Sequence, residues 1–227
     1  MSNYSKVIVK KPWGHEYLVY ENSKVALWFL NIEENASTSM HCHPKKTTGL
    51  VLLDGDAELS FLADKKVISA LSKNMIRRGL FHSTKAISKS GAKIFEIETP
   101  NDKYDLVRLN DKYGREAQGY EKSNQEYLRT KDELFFNNEI IEKQKKLFFK
   151  FADCDLIVEK ISDISELKNL KPDEVIIFLD GGLLKIVDNV LHFATIPGDV
   201  GHGAILSILI ENVHSVSADT IILRITK

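Results

Sequence analysis

Up to Pro100 the apolar positions fall in short or alternating runs, KVALWFLNIE, TGLVLLDG, DAELSFL, KVISAL and AKIFEIE, separated by turn residues. Runs of this length at such regular spacing predict the strands of an antiparallel β-barrel or sandwich. Asp54-Gly55 predicts a tight turn between two of them, because glycine tolerates positive φ. After Pro100 the pattern lapses into NDKYDLVRLNDKYGREAQGYEKSN, charged and without a sustained period, which reads as a loop and linker wrapping the barrel. Thr130 with Glu133 three residues on has the form of a capping box and predicts a helix over 131–146. Leu134, Phe135, Ile140 and Ile141 are expected to form its apolar, packing side. The remainder returns to β: FFKFADCDLIVEKI, EVIIFLDGGLLKIV, NVLHFATI, AILSILIENV and DTIILRIT.

VLLDGDAEL at 51–59 and IFLDGGLLK at 177–185 share one form, an apolar strand, Asp-Gly and a second strand. KVISALSKNMI and NVLHFATIPGDV follow them in turn, and KIFEIE and IILRIT close each half. This is a repeat of a whole barrel. The expected organisation is two domains of one fold: 1–120, a linker and helix at 121–150, and 151–227.

The chain has 227 residues with 31 basic and 32 acidic side chains, a net charge of −1, so nucleic-acid binding is not suggested. The apolar runs, AILSILI among them, are too short to cross a bilayer, so no membrane partner is expected. Cys42 and Cys154 lie far apart and form no disulfide or CxxC framework. A cytoplasmic protein is the expectation.

The chemistry concentrates in SMHCHPKKTTGLVLLDG at 39–55. Successive side chains of a strand point to opposite faces, so His41 and His43 face one way and Cys42 the other, where it packs as an apolar group. Two imidazoles on one face converge on a metal ion, and His82 in RRGLFHSTKAI lies where two hairpins would return it to them. Three neutral imidazoles can hold a divalent ion with positions open to substrate, and zinc, iron, nickel and manganese are all admissible.

These segments resemble the cupin superfamily, and more narrowly the cupin domain of the bifunctional, type II mannose-6-phosphate isomerases. The residues that carry the resemblance are KPWG at 11–14, Ser39-x-His41-x-His43, Gly55, Gly79-x-x-His82, FEIET at 95–99, and DLVRLNDKYGR ending at Arg115. It covers about half the chain. It implies an all-β fold of two tandem cupin (jelly-roll β-barrel) domains with a short connecting helix, and a metal held by His41, His43 and His82. Three positions depart from the family: His41 stands where the isomerases have glutamine, Thr48 where a glutamate normally completes the metal site, and Arg77 replaces a proline before Gly79.

What the resemblance implies for activity is isomerase or epimerase chemistry on an anionic sugar such as a sugar phosphate, in carbohydrate biosynthesis. Such chemistry needs an electrophile, a base and cations for the phosphate. Glu96 and Glu98 alternate onto one strand face and are the candidate proton-transfer groups, or else anchors for a lysine. Lys45 and Lys46, at the barrel mouth, are candidates to steer the anion. Arg108 and Arg115 are candidate phosphate ligands, with Asp105 and Asp111 near enough in sequence to pair with them instead. Trp13 is expected to pack. His192, His202 and His214 do not repeat the first domain's spacing, so the second domain is expected to be degenerate, with a structural role or one in a homodimer. Two alternatives stand beside the isomerase: a sugar-binding or assembly module without turnover, and a three-histidine iron dioxygenase.

Overall fold

Each apolar run singled out before Pro100 is a strand, and the reason is the same throughout: β-branched and aromatic side chains placed to bury one or both faces of a sheet. The computed structural model describes residues 3–116, 119–120, 126–130 and 133–227, and the chain divides into two compact units, Met1–Phe135 and Phe136–Lys227. Across the described residues no helix is long and apolar enough to cross a membrane.

The first unit contains β1 (Val7–Lys11), β2 (Gly14–Glu21), β3 (Ala26–Ile32), β4 (Met40–Cys42), β5 (Thr47–Phe61), β6 (Lys65–Ser69), β7 (Lys73–Ile76), β8 (His82–Ala86), β9 (Ala92–Thr99), β10 (Val107–Asn110) and β11 (Glu126–Leu128). They pair in the order β10-β4-β8-β5-β9-β3-β2-β1-β11, with β6 and β7 also on β5. β5 links the two walls of this curled sheet. Its first half pairs with β7 and β9, and its second half with β6 and β8. Asp54-Gly55 is therefore not the predicted tight turn. The strand runs through it on a bulge between Leu52 and Asp54, which bends β5 from one wall to the other. Gly55 has φ +80°, and a Cβ there would stand 2.1 Å from the Gly91 carbonyl oxygen, so only glycine fits. Leu18, Trp28, Leu50, Leu52, Leu59 and Ile94 are among the buried residues of the barrel's apolar core.

The predicted helix is shorter and later than expected. Thr130 does engage Glu133, whose Oε2 accepts from the Thr130 amide at 2.6 Å and from its hydroxyl at 2.9 Å. Residues 131–132 lie outside the described set, and the helix itself, α1, spans Asn138–Gln144. Asn137 caps it, accepting from the Glu139 amide at 2.8 Å. The asparagines that weaken a helix interior serve as its N-terminus, because their side chains compete for backbone amides. Ile141 is buried and Ile140 exposed, while Leu134 and Phe135 precede the helix.

The second unit continues with β12 (Lys146–Phe151), β13 (Cys154–Ile161), β14 (Val175–Asp180), β15 (Leu183–Val187), β16 (Val190–Phe193), β17 (Val200–His202), α2 (Gly203–Ile210), β18 (Ser215–Val216) and β19 (Thr220–Thr226). Its sheets run β12-β13-β19-β14-β17 and β16-β15-β18. AILSILI, expected as a strand, is within α2. A wholly apolar run carries no period, and this one is fitted by helix with Leu206 buried against Ile176, Phe178 and Ile222.

The repeat is confirmed residue by residue. β14 breaks register between Phe178 and Asp180 against β19, as β5 does between Leu52 and Asp54 against β9. Asp54 thus corresponds to Asp180, and β2, β3, β5 to β7, β8 and β9 correspond to β12, β13, β14 to β17, β18 and β19. β4, the strand carrying His41, has no counterpart: between β13 and β14 the chain forms only a short 3-10 turn, Ile164–Leu167. Counting from the two aspartates, Leu50 corresponds to Ile176, and their partners Glu96 and Arg224 correspond in turn. Arg224 donates through Nη2 to Glu174 Oε2 at 2.9 Å and through Nη1 to Glu159 at 3.1 Å. An ion-pair cluster thus occupies the second unit where the first keeps a cavity. Arg224→Ala leaves the buried Glu174 without its cation and is expected to cost about 3–5 kcal/mol of stability, read as the urea midpoint of unfolding. A midpoint unchanged from that of the native sequence would show the cluster to be dispensable.

Candidate metal and substrate site

Two strands deliver the three histidines. His41 and His43 are separated by one residue on and just beyond β4, and His41 is the direct cross-strand partner of His82 at the start of β8. Their rings stand 4.4 Å (His41 to His82), 5.0 Å (His41 to His43) and 5.6 Å (His43 to His82) apart between centroids. One nitrogen of each lies within 4.8 Å of the other two. Cys42 is buried on the opposite face, level with Val107 of β10.

A carbonyl oxygen stands at each Nδ1: Ser39 at 2.8 Å for His41, Asp105 at 2.6 Å for His43 and Leu80 at 3.0 Å for His82. A carbonyl only accepts, so each Nδ1 carries the proton and each Nε2 a lone pair. His43 Nε2 and His82 Nε2 are buried without a partner. Burial lowers the pKa of all three, assisted at His41 by the other two imidazoles and at His43 by Lys46, and it holds His82 at about 4. Three neutral imidazoles, oriented by carbonyls and presenting unused lone pairs, are the donor set of a divalent first-row ion.

Asp105 fixes the turn after the histidines. Its Oδ2 accepts from the amides of Lys45 and Lys46 at 2.9 Å each, while its carbonyl orients His43. The sequence offered it to the arginines, but only Asp111 takes that part, bonded to Arg115 at 2.8 and 2.9 Å. Asp105→Ala frees the buried Lys46 amide and the part-buried Lys45 amide and is expected to cost about 1–3 kcal/mol. The carbonyl that orients His43 belongs to the backbone and survives, so metal affinity is expected to fall only as far as the loosened turn displaces it. Titration of a divalent ion and a melting curve check both; an unchanged affinity would separate the turn from the metal site.

Beside the histidines lies a cavity with about 60 Å³ of room for water, open at its mouth. Glu96 and Glu98 project into it from β9, 8% and 2% exposed. Lys46 donates to Glu98 Oε1 at 2.7 Å, both side chains being buried. Of the two sequence candidates for anion steering, then, Lys46 is inside the site while Lys45 is exposed and does not line the cavity. Arg108 and Arg115 do line it, from the segment after β9, Arg108 also donating to the Gly119 carbonyl. Trp13 both packs in the core and faces the cavity.

Four cavity residues escaped the sequence reading as chemistry. Glu16 meets Lys103 at 3.0 Å and Lys11 at 3.5 Å, and Tyr120 donates to the same carboxylate. Lys103 lies 3.6 Å from the Trp28 ring centroid, a cation–π contact. Burial would raise the Glu16 carboxyl, but Lys103 and Lys11 outweigh it and hold it at about 2. Lys103 and Tyr120 belong to a segment with no period to reveal which residues turn inward. Glu16 alone left a trace, as a charge in an otherwise apolar strand.

The two carboxylates of β9 differ. Burial and then the neighbouring Glu98 push Glu96 up to about 7. Glu98 is also buried, but Lys103, Lys46 and His43 draw it below the ordinary range. Near neutral pH one is a carboxylate and the other half-protonated, the condition for moving a proton. Five cations line the cavity, Lys11, Lys46, Lys103, Arg108 and Arg115, against Glu16, Glu96 and Glu98; the surplus favours an anion.

Among the described residues the second unit gathers no such group of ligands. His192 is exposed on β16, and His202 precedes α2 without a capping hydrogen bond from its side chain.

No family model matches the chain, and no curated protein matches it. Among solved structures it is similar to KdgF from Halomonas sp. (14% identity, TM-score 0.38), over 40% of this chain and 84% of that one. It is similar to the cupin domain of Schizosaccharomyces pombe Cnp3 (14%, TM-score 0.37) over 38% of this chain and 64%, just under two thirds, of that one. Its whole length is covered by a match to oxalate decarboxylase (11%, TM-score 0.44) that takes in 78% of that chain. Strand order and register, repeated across the two units, give this chain the fold of the cupin superfamily, built twice along one sequence.

Proposed function

We propose that the protein is a metal-dependent enzyme of carbohydrate metabolism that isomerises or epimerises a small anionic sugar, a sugar phosphate first of all, in its N-terminal barrel. The observation that carries the reading is the juxtaposition in one cavity of three unprotonated histidines, a carboxyl group poised at about 7 and a surplus of cations. His41, His43 and His82 would hold the ion, which supplies Lewis acidity toward substrate oxygens. Glu96 takes a proton from the carbon next to a carbonyl and returns it to the neighbouring position, its split from Glu98 keeping one group ready to accept. Lys46, Lys103, Arg108 and Arg115 orient the anionic group, and Leu30, Leu50 and Ile94 keep water from the reacting carbon. A proton-transfer pair beside the ion favours this reading over a binding module or an oxygenase. The second barrel, filled by its own ion pairs, serves structure, and a cytoplasmic homodimer is part of the proposal.

Elemental analysis of protein purified without a metal-affinity tag tests the first half, with one ion per chain expected. A thermal-shift screen of sugar phosphates and nucleotide sugars follows, and proton exchange into the best ligand in D2O is expected by NMR. The reading fails if no metal copurifies or rebinds and no sugar shifts the melting point. Light scattering reads the oligomer.

A further inference from the structure

We infer that Glu98 is the carboxylate ligand of the metal site, delivered from β9 across the ladder to replace the glutamate that position 48 lacks. This rests on the reading that the three histidines hold a metal. Thr48 of β5 and Glu98 of β9 are direct cross-strand partners, and such partners project from the same face of the sheet. A carboxylate on either strand therefore enters the barrel at the same level. The Glu98 side chain is 2% exposed, one oxygen accepts from Lys46, and the other, Oε2, is buried with no partner. His43 Nε2 and His82 Nε2 are buried and unpartnered in the same cavity. Three orphaned atoms, two lone-pair nitrogens and a carboxylate oxygen, cannot satisfy one another, because none of them donates. A cation satisfies all three.

The geometry fixes the side from which Glu98 approaches. A carboxylate oxygen of Glu98 lies within 4.8 Å of a His43 nitrogen, while two ligands of one first-row ion, each at about 2.1 Å, stand at most about 4.2 Å apart. His43 is shared by the two groups His41–His43–His82 and His43–Glu96–Glu98, so a movement of the Glu98 carboxylate past His43 brings it to the ion that the histidines hold. Lys46 acts as a positioning residue: it occupies Oε1, so coordination is through Oε2 alone.

The second barrel contains the reciprocal arrangement. Counting from the matched Asp54 and Asp180, position 48 corresponds to Glu174. One step beyond the paired Val175 and Ile225, Glu174 stands in register with Thr226, the counterpart of Glu98. By that count the chain places Thr and Glu at the same two positions of each barrel with the members exchanged, the second set lying just past the end of the β14–β19 ladder. In the second barrel the glutamate is bound by Arg224; in the first, Glu98 keeps an oxygen for an ion.

Cobalt(II) binding to the metal-free full chain tests this without reference to turnover. Affinity is read by competition with a chelator, and the ligand set by the visible absorption bands. Glu98→Gln is expected to bind cobalt at least roughly tenfold more weakly and with altered bands. Thr48→Glu/Glu98→Thr, which returns the carboxylate to β5, is expected to recover most of the lost affinity. Should Glu98→Gln not fold, Glu98→Asp takes its place, its oxygen withdrawn by one methylene, with the same weakening expected. Wild-type affinity and bands in the position-98 variant would overturn the assignment of Glu98 while leaving the three histidines standing. Failure of the native sequence to bind cobalt would overturn both.

Discussion

His82→Ala is expected to bind a divalent ion more than about 100-fold more weakly than the native protein and to lose turnover with it, since it removes a ligand outright where even an orienting partner is worth roughly 10–100-fold. Its second effect appears in the metal-free protein. Burial holds the His82 pKa at about 4 against an ordinary value near 6.5. As pH falls through that window the unfolded chain takes up a proton that the native state refuses, so stability present above 6.5 is lost on the way to 4. The loss is up to roughly 3 kcal/mol from this group. The variant has no such proton to refuse, so its stability is expected to fall less steeply between those pH values. Urea titrations of both proteins at a series of pH values measure the two slopes. Equal slopes, or metal binding that survives the substitution, would remove His82 from the site.

For Glu96→Gln, stability and activity are expected to move in opposite directions. The Glu96 pKa, raised to about 7 by burial and by Glu98, means that the native state keeps a proton that the unfolded chain releases near 4.5. Stability from this group is therefore highest below 4.5 and is lost as pH rises to 7. Above 7 the ionised pair costs roughly 1–3 kcal/mol. Glutamine cannot ionise, so the variant is expected to equal the native protein at acid pH and to exceed its stability at pH 8. Turnover of the sugar phosphate is expected to fall about 100–10,000-fold, the worth of a positioned acid–base group. A residue whose removal stabilises the fold and stops the reaction is kept for its chemistry. If the variant is less stable at every pH and the residual turnover is high, Glu96 is a structural group.

A β-barrel built twice was legible in the sequence because strand runs and the matched Asp-Gly segments follow from side-chain size and φ preference, which are local properties, and the resemblance to cupins gave that barrel its family. The HxH spacing was legible for the same reason, since strand alternation alone puts His41 and His43 on one face. Three other readings went astray where local pattern is ambiguous. AILSILI is apolar at every period and is settled only by what it packs on. The Thr130 amide and hydroxyl both donate to the Glu133 carboxylate, but the pair does not lead directly into the helix, which begins at Asn138. Asp54-Gly55 has the residues of a turn but bends a continuous strand, because β8 and β9 hold both halves of β5.

The sequence by itself determined the repeat, most of the strands and the histidine pair, and its resemblance to the cupins marked Thr48 as the position of an absent glutamate. Tertiary structure alone decided that Glu98 lies opposite Thr48, that Lys46 is buried on Glu98 while Lys45 is exposed, and that Lys103 reaches Glu16 through a segment without periodicity. It also decided that Arg224 and Glu174 fill the second barrel. The physical reason is common to all four. Which strand lies beside which is set by burial and register summed over the whole barrel, and a charge's partner is whichever group that summation brings within a few ångströms, at sequence separations no local pattern encodes.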